Sequence, residues 1–493
     1  MKIQSRLFAT VLVALCASGH AEDKPAAAAS AEAARENVVK RAEAMTEEQI
    51  KQSHDVSALS KLAQLYDSQN DLKRFIWTLH RITELMPNSG DLRLQLAMAY
   101  AKNDDKTNAY DTLIHMQMQG FAYDIAKDPR FEPVHGTKVW DYLVANLQAN
   151  AKQFGEGKTA FELAKGDHLY DALAWDAKRG QLLVGGAREG KVQLVDTAGK
   201  LSDFITADAN NGLLGVDALA DDGAHGKLYV ANSATEIFKG FSADNAGKAG
   251  ISEFDLASGK FLKNYTFAKS EGVHRLTALV VGKDGQVYGA DGGRKQVFKL
   301  DGGALKQIIH NPKLTYISAL ALSGDGRTLY MADFALGIFG FDLSKGQAFE
   351  PSHNSANLVL GGIVGMYWYD GTLVVVENGM VPKRVMRLQL SADGRNIEGA
   401  MPLDAAQPSF DELGPGAVAG DKLYFFSNRE DALYDARGVL TEANQLEPTR
   451  VFVSNLRFAW GQKGVGTGLV PLAADDGTVS KKPKPKPPAG DKH

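Results

Sequence analysis

The chain has 493 residues, of which 44% are hydrophobic and 23% are charged, a composition typical of globular proteins. This length is enough for two or three domains whose cores fold without disulfide bonds. The formal net charge at pH 7 is −4, which argues against a nucleic-acid partner, because such proteins need a basic surface.

The first 21 residues have the three parts of a secretory signal peptide. Lys2 and Arg6 form a positive start, "LFATVLVALCASG" is a short apolar stretch, and "GHA", ending at Ala21, offers small residues before a cleavage site. We therefore predict a signal peptide over residues 1–21 and a periplasmic or secreted location. The single cysteine, Cys16, lies inside it, so the mature chain is expected to have no disulfide bond or thiolate ligand. No later stretch is apolar for long enough to predict a transmembrane segment.

A helical region follows. Residues 22–35 are rich in alanine and are interpreted as a linker, and residues 36–153 space their apolar side chains three and four apart. The stretch "LAQLY" at 62–66 recurs 34 residues later as "LAMAY" at 96–100, a period typical of tetratricopeptide repeats. Two such units cannot bury a long core, so we expect the helices to lean on the next domain. They then serve either as a structural cap or as a groove for a protein partner.

The pattern changes to strands over residues 159–470. Six glycines each precede a strand-like burst, and they are spaced 41 to 59 residues apart: Gly180, Gly226, Gly285, Gly326, Gly371 and Gly420. Repeats of about 40–50 residues with four strands each are typical of propeller blades. The predicted fold class is therefore mainly β, a six-bladed β-propeller preceded by a short α-helical tetratricopeptide-like domain. Residues 471–493 are basic and rich in proline, which predicts a disordered tail.

The blade segments also resemble a known family. "LYDALAWDAKRGQLLVGGAREGKVQLVD", "LTALVVGKDGQVYGADGGRKQVFKLDGG", "ISALALSGDGRTLYMADFALGIFGFDL" and "GGIVGMYWYDGTLVVVENG" follow, in order, the blade layout of the regucalcin/gluconolactonase-like superfamily. This resemblance implies a lactone-hydrolase-like activity that depends on a divalent cation, usually calcium, at the mouth of the central channel. Such a cation needs about 6–8 oxygen ligands and would polarise a lactone carbonyl or activate water.

The positions that the resemblance assigns to the cation are mostly changed here. Asp171 keeps a carboxylate where the family often has glutamate. The other compared positions carry poor ligands or none: Thr277-Ala278, Ser318-Ala319, Val364 and Leu413-Gly414. We therefore expect the family's metal site to be degenerate and the channel to suit an apolar or mixed ligand, or none.

Polar residues at the ends of the second strands form another candidate group: Arg188, Asn232, Asp291, Asp333, Glu377, Asn378, Asn428 and Arg429. The candidates for catalysis are Asp171, Asp333 and Glu377, and those for a metal are Asp171 and Asp333. The candidates for ligand binding are Asp171, Asp217, Thr277, Ser318 and Asn378. The alternative is that Asp and Asn at strand ends hydrogen-bond their own turns.

Two functions remain open from the sequence. One is a binding or scaffold protein on a lactonase-like propeller, with a small-molecule ligand in the channel or a protein partner on the helices. The other is a metal-dependent lactonase or esterase with a rearranged site. Because fold resemblance is an associational argument, it leaves open whether the protein is an enzyme.

Overall fold

The structure is a computed structural model, and it describes residues 45–268 and 271–458. The predicted signal peptide (1–21), linker (22–35) and basic tail (471–493) lie outside the described residues. The chain divides into two compact units, residues 1–81 and 82–493. In the described part of the chain, no helix is both long and apolar enough to cross a membrane.

The first unit contains helices α1 (Glu47–Gln52), α2 (Val56–Ser68) and most of α3 (Leu72–Leu85). Each start has a side-chain cap, which satisfies backbone N–H groups that a helix leaves unpaired. Thr46 and Gln49 form a capping box at α1, and Asp55 accepts from Ala58 N at α2. Asp71 accepts from Arg74 N, 3.1 Å away, in the first turn of α3.

The second unit begins with helices α4 (Gly90–Lys102) and α5 (Lys106–Met118), a 3-10 turn (Pro129–Val134) and α6 (Lys138–Asn150). Helices α4 and α5 start 34 residues after α2 and α3, in agreement with the period of the sequence. Asn70 and Asp104 occupy matching turn positions, and both have positive φ, 58° and 54°. The tetratricopeptide assignment itself stays a prediction.

Helices α4 to α6 pack on the propeller of the same unit. Met116 and Phe121 share a buried cluster with Val359 and Met380, which lie in propeller loops. Two hydrogen bonds join the same surfaces: the Gln119 side chain donates to the Ser355 carbonyl, and Ala122 N donates to the Val381 carbonyl, both at 2.7 Å. This part of the helical region therefore rests on the propeller.

The propeller consists of six four-stranded antiparallel sheets in the described residues, so the predicted six-bladed, mainly β fold is confirmed. In the first three blades the strands are β2 (Tyr170–Asp176), β3 (Gln181–Gly186), β4 (Lys191–Val195), β5 (Leu201–Thr206); β6 (Gly215–Asp222), β7 (Lys227–Ser233), β8 (Ala249–Asp255), β9 (Phe261–Thr266); β10 (Leu276–Val281), β11 (Val287–Asp291), β12 (Gln296–Asp301) and β13 (Ala304–His310). In the others they are β14 (Ile317–Leu322), β15 (Thr328–Asp333), β16 (Gly337–Asp342), β17 (Gln347–Phe349); β18 (Ile363–Tyr369), β19 (Thr372–Glu377), β20 (Arg384–Leu390), β21 (Ile397–Ala405); β22 (Gly416–Ala419), β23 (Lys422–Phe426), β24 (Thr449–Asn455) and, from the start of the propeller, β1 (Lys158–Leu163).

Strand β1 closes the ring by pairing with β24 as the outermost strand of the sixth blade. Within every blade the first and second strands turn at one of the six glycines singled out in the sequence, and their φ values lie between 60° and 77°. Side chains rarely adopt this conformation, which explains glycine at these positions. The apolar cores lie between neighbouring blades, as where Val216 and Val230 of the second blade meet Ala172 and Leu183 of the first.

Candidate binding site at the channel mouth

The inner strands of five blades share an irregularity near their start. The pairing register shifts by one residue at Asp171, Asp217, Thr277, Ser318 and Val364. A bulge of this kind turns a side chain away from its ordinary alternation, and bulges are frequent beside functional sites. All five residues line one cavity of about 350 Å³ at the end of the channel where the inner strands begin. We call it the mouth cavity.

The floor of the mouth cavity is apolar. Alternate residues of a strand face the same side of the sheet. The residues two positions after the shifted ones therefore also face the channel, and they are Leu173, Leu219, Leu279, Leu320 and Met366. These five side chains line the mouth cavity and also a second cavity, of about 650 Å³, at the opposite end of the channel. They therefore form an apolar layer between the two cavities.

Asp171 is held by two arginines. Arg275 Nη2 donates to Asp171 Oδ2 at 2.7 Å, and Arg429 Nη2 donates to Asp171 Oδ1 at 2.6 Å. Both carboxylate oxygens are thus engaged by guanidinium groups, in charge-assisted bonds of the stronger kind. The Asp171 side chain is 11% exposed, whereas that of Arg275 is 40% exposed.

Asp217 is the second carboxylate beside Arg275. It accepts from Arg275 Nε at 2.7 Å and from the Ser233 hydroxyl at 2.6 Å. Burial disfavours its charged form and raises the pKa of Asp217 to about 6, although Arg275 opposes the shift. The carboxylate of Asp217, followed by that of Asp171, raises the pKa of Arg275 above its usual value, so this guanidinium stays charged.

The two arginines also have unused donors. Arg429 Nη2 donates to Asp431 Oδ1 at 2.7 Å as well as to Asp171. The Nη1 atoms of Arg275 and Arg429 are not buried, and neither has a hydrogen-bond partner in the described residues. Both side chains line the mouth cavity. Each guanidinium can therefore donate to a molecule bound there.

The uncharged polar residues of the cavity are mostly occupied by the protein. Thr277 Oγ1 donates to the Ile317 carbonyl at 3.0 Å, and Ser318 Oγ donates to the Ala332 carbonyl at 3.2 Å. Asn378 donates to Glu412 and accepts from Leu413 N. Each hydroxyl oxygen can still accept a hydrogen bond from a ligand.

Three aromatic side chains line the mouth cavity: Tyr316, Phe334 and Tyr367. Of these, Tyr316 and Phe334 are 39% and 40% exposed. Arg275, Asp171 and Arg429 lie close enough to perturb the Tyr316 hydroxyl, whose pKa is raised mainly by burial. The cavity therefore combines charged donors with apolar faces.

Two predicted catalytic residues, Asp333 and Glu377, do not line the mouth cavity. Asp333 is fully buried and accepts from the backbone N–H groups of Thr315, Tyr316, Ala335 and Leu336 at 2.6 to 3.1 Å. Glu377 is fully buried and forms an ion pair with Arg384. Asp333 thus has the surroundings of a residue that caps a turn, and Glu377 has those of a buried ion pair. The catalytic role of both residues, and the metal-binding role of Asp333, stay predictions.

The residues around Asp171 do not fit a divalent cation. Calcium needs about 6–8 oxygen ligands, but both oxygens of Asp171 already accept from arginines whose positive charge repels a cation. Across the described ranges 45–268 and 271–458, no group of three or more His, Cys, Asp or Glu side chains is placed to hold a metal ion.

In the structure, all five ligand-binding candidates line the mouth cavity, and their binding role stays a prediction. Sequence reasoning missed Arg275, Tyr316, Glu412 and Asp431, which line the same cavity. A signal for the first two exists. Arg275 and Tyr316 stand two residues before Thr277 and Ser318, at matching positions of successive blades, in "RLTAL" and "YISAL". Aligning the blades on their shifted residue would have found both.

Comparisons with known proteins find only distant structural similarity. No protein-family model matches the chain, and no curated protein matches it. Among solved structures, a gluconolactonase from Xanthomonas campestris is 14% identical, with 62% of this chain and 92% of that chain covered and a TM-score of 0.39. A virginiamycin B lyase from Staphylococcus aureus is 16% identical, with 56% and 82% covered and a TM-score of 0.38.

Proposed function

We propose that this protein binds a small organic molecule in the mouth cavity. The observation that carries the proposal is the convergence of the shifted residues of five blades on one cavity with an apolar floor. Its volume of about 350 Å³ lies in the range of ligand pockets, which combine apolar walls with a few fixed polar groups.

Binding is favoured over metal-dependent lactone hydrolysis because of the state of Asp171. In the hydrolase alternative, a cation at Asp171 would bind beside the guanidinium groups of Arg275 and Arg429, which donate to both of its carboxylate oxygens. Placing a cation next to two positive charges is electrostatically costly. The arginines therefore support a ligand site that works without a metal.

Two finer proposals concern place and partners. The signal-peptide pattern of residues 1–21 supports action in the periplasm or outside the cell. Because α4 to α6 pack on propeller loops, we assign them a structural role there, with a protein partner as the alternative for the helical region.

The test is a thermal-shift screen of a small-molecule library against the purified protein and two valine variants. Val364→Phe adds a ring inside the mouth cavity, whereas Val439→Phe adds the same ring at a site that is 50% exposed and outside it. We expect compounds that stabilise the protein and Val439→Phe but not Val364→Phe, since a ligand stabilises only a state that it binds. Hits that stabilise all three proteins equally, or an absence of hits, would contradict the proposal.

A parallel assay addresses the hydrolase alternative. Lactone hydrolysis is measured with calcium and with a chelator for the protein and for Asp171→Asn. Turnover that needs calcium and disappears in Asp171→Asn would favour the enzyme, and binding that persists in the chelator would favour the proposal.

A further inference from the structure

We propose that the ligand of the mouth cavity is a monocarboxylate with an aromatic or apolar body, held by Arg275 and Arg429. This inference rests on the proposed binding function and adds the chemical class of the ligand. In this proposal, the positive charge that binds the ligand comes from the two guanidinium groups and not from a metal cation.

The first argument is the geometry of the arginines. Asp171 holds Arg275 and Arg429 side by side through its two oxygens, at 2.7 and 2.6 Å, so the two head groups have a common fixed support. Each keeps an unburied Nη1 without a partner in the part of the chain that the structure describes. Planar guanidinium groups match the two oxygens of a carboxylate, and their charge is permanent. Asp171 is then a positioning residue and not a ligand-binding one.

The second argument is the charge balance, which favours a ligand with one negative charge over a ligand with two. Arg275 and Arg429 are already surrounded by Asp171, Asp217 and Asp431, with Glu412 also in the cavity wall. A doubly charged phosphate would face too many carboxylates. A single negative charge can be compensated when one buried carboxyl takes up a proton. Asp217, in contact with Arg275 and Ser233, is suited to do this, because burial already raises its pKa to about 6.

The third argument concerns the body of the ligand. Tyr316 and Phe334, which are 39% and 40% exposed, line the same cavity as the arginines. Leu173 and Met366 belong to the apolar floor. An aromatic ring stacks favourably on such rings, and its burial adds apolar area to the contact. The carboxylate would face the arginines and the ring would lie against these apolar surfaces.

The experiment uses three probes that share a ring and differ in charge: benzoate, benzamide and benzylamine. Binding of each is measured by calorimetry on the full chain, in a chelator, and again with Arg275→Gln, Arg429→Gln and Arg294→Gln. Arg294 is the matched control, because it is exposed in the β11–β12 loop and does not line the cavity. We expect benzoate to bind at least tenfold more tightly than benzamide, and benzylamine to bind least. We expect each cavity variant to weaken benzoate at least tenfold and Arg294→Gln to leave it unchanged.

Two further measurements keep the test valid if a glutamine variant folds poorly. Arg275→Lys keeps the charge without the planar fork and should weaken benzoate less than Arg275→Gln. On the unmodified protein, benzoate binding should take up protons and weaken as the pH rises through 6, since the anion competes with the ionised form of Asp217.

The outcomes separate this inference from the proposed function. Equal binding of benzoate and benzamide, stronger binding of benzylamine than of benzoate, or no benzoate heat would each overturn the carboxylate inference. None of these results affects library hits that Val364→Phe abolishes. The binding function would instead be overturned if library compounds stabilised Val364→Phe as much as Val439→Phe.

Discussion

Replacing Arg384 with methionine tests whether Glu377 belongs to a structural ion pair. The Arg384 side chain is 3% exposed, and its Nε donates to Glu377, whose side chain is fully buried. Its Nη1 and Nη2 donate to the carbonyls of Gln119 and Val359, both at 3.2 Å. The variant leaves a buried acid and two carbonyls without these donors. Breaking a buried pair in this way costs about 3–5 kcal/mol.

Urea unfolding, followed by far-UV circular dichroism, measures this loss. The double variant Arg384→Met with Glu377→Leu should recover about 2 kcal/mol, because the unpaired buried acid is gone and only the carbonyls remain. Arg437→Met is the matched control: Arg437 is 81% exposed and pairs with Asp435, so its loss should stay below about 1 kcal/mol. A loss for Arg384→Met no larger than that for Arg437→Met would refute the reasoning.

Two further predictions concern stability. The pKa of Asp217 is raised to about 6 in the folded state. The contribution of Asp217 to stability is therefore fully present below the pKa that this group has in the unfolded chain, and it is lost as the pH rises through 6. When the pH is raised from 4.5 to 7.5, the ionisation of Asp217 should therefore lower the free energy of unfolding by about 2 kcal/mol. Asp217→Asn should lack this decrease, and equal pH profiles of stability for both proteins would contradict the prediction. Gly180→Ala should cost about 1 kcal/mol, because Gly180 has a φ of 66° in open space. Gly438→Ala should cost clearly more, because its φ is 72° and a Cβ would lie 2.0 Å from the Glu236 carbonyl oxygen; equal urea midpoints for the two alanine variants would show that the close contact is relieved without cost.

Much of the fold could be predicted because the signals are local. The six turn glycines report a backbone conformation that other residues avoid, and their spacing reports the blade. The shifted residues Asp171 and Asp217 were recognisable in the same way, because each follows an apolar residue and precedes a small one at the start of an inner strand.

The chemistry of the site could not be predicted in this way. Asp333 and Glu377 look like Asp171 as strand-associated acids, yet one caps its own turn and the other pairs with Arg384. Local sequence does not distinguish an acid that faces the channel from one that hydrogen-bonds its neighbours, since both are polar residues at a strand end.

The sequence by itself determined the blades, the turns and the positions that face the channel, because backbone preference and strand alternation act over a few residues. Only the tertiary structure decided which charges meet there. Arg275 and Arg429 lie 104 and 258 residues from Asp171, and closure of the ring brings all three into contact. The physical reason is that an ion pair depends on distance in space, and in a propeller that distance is set by all six blades together.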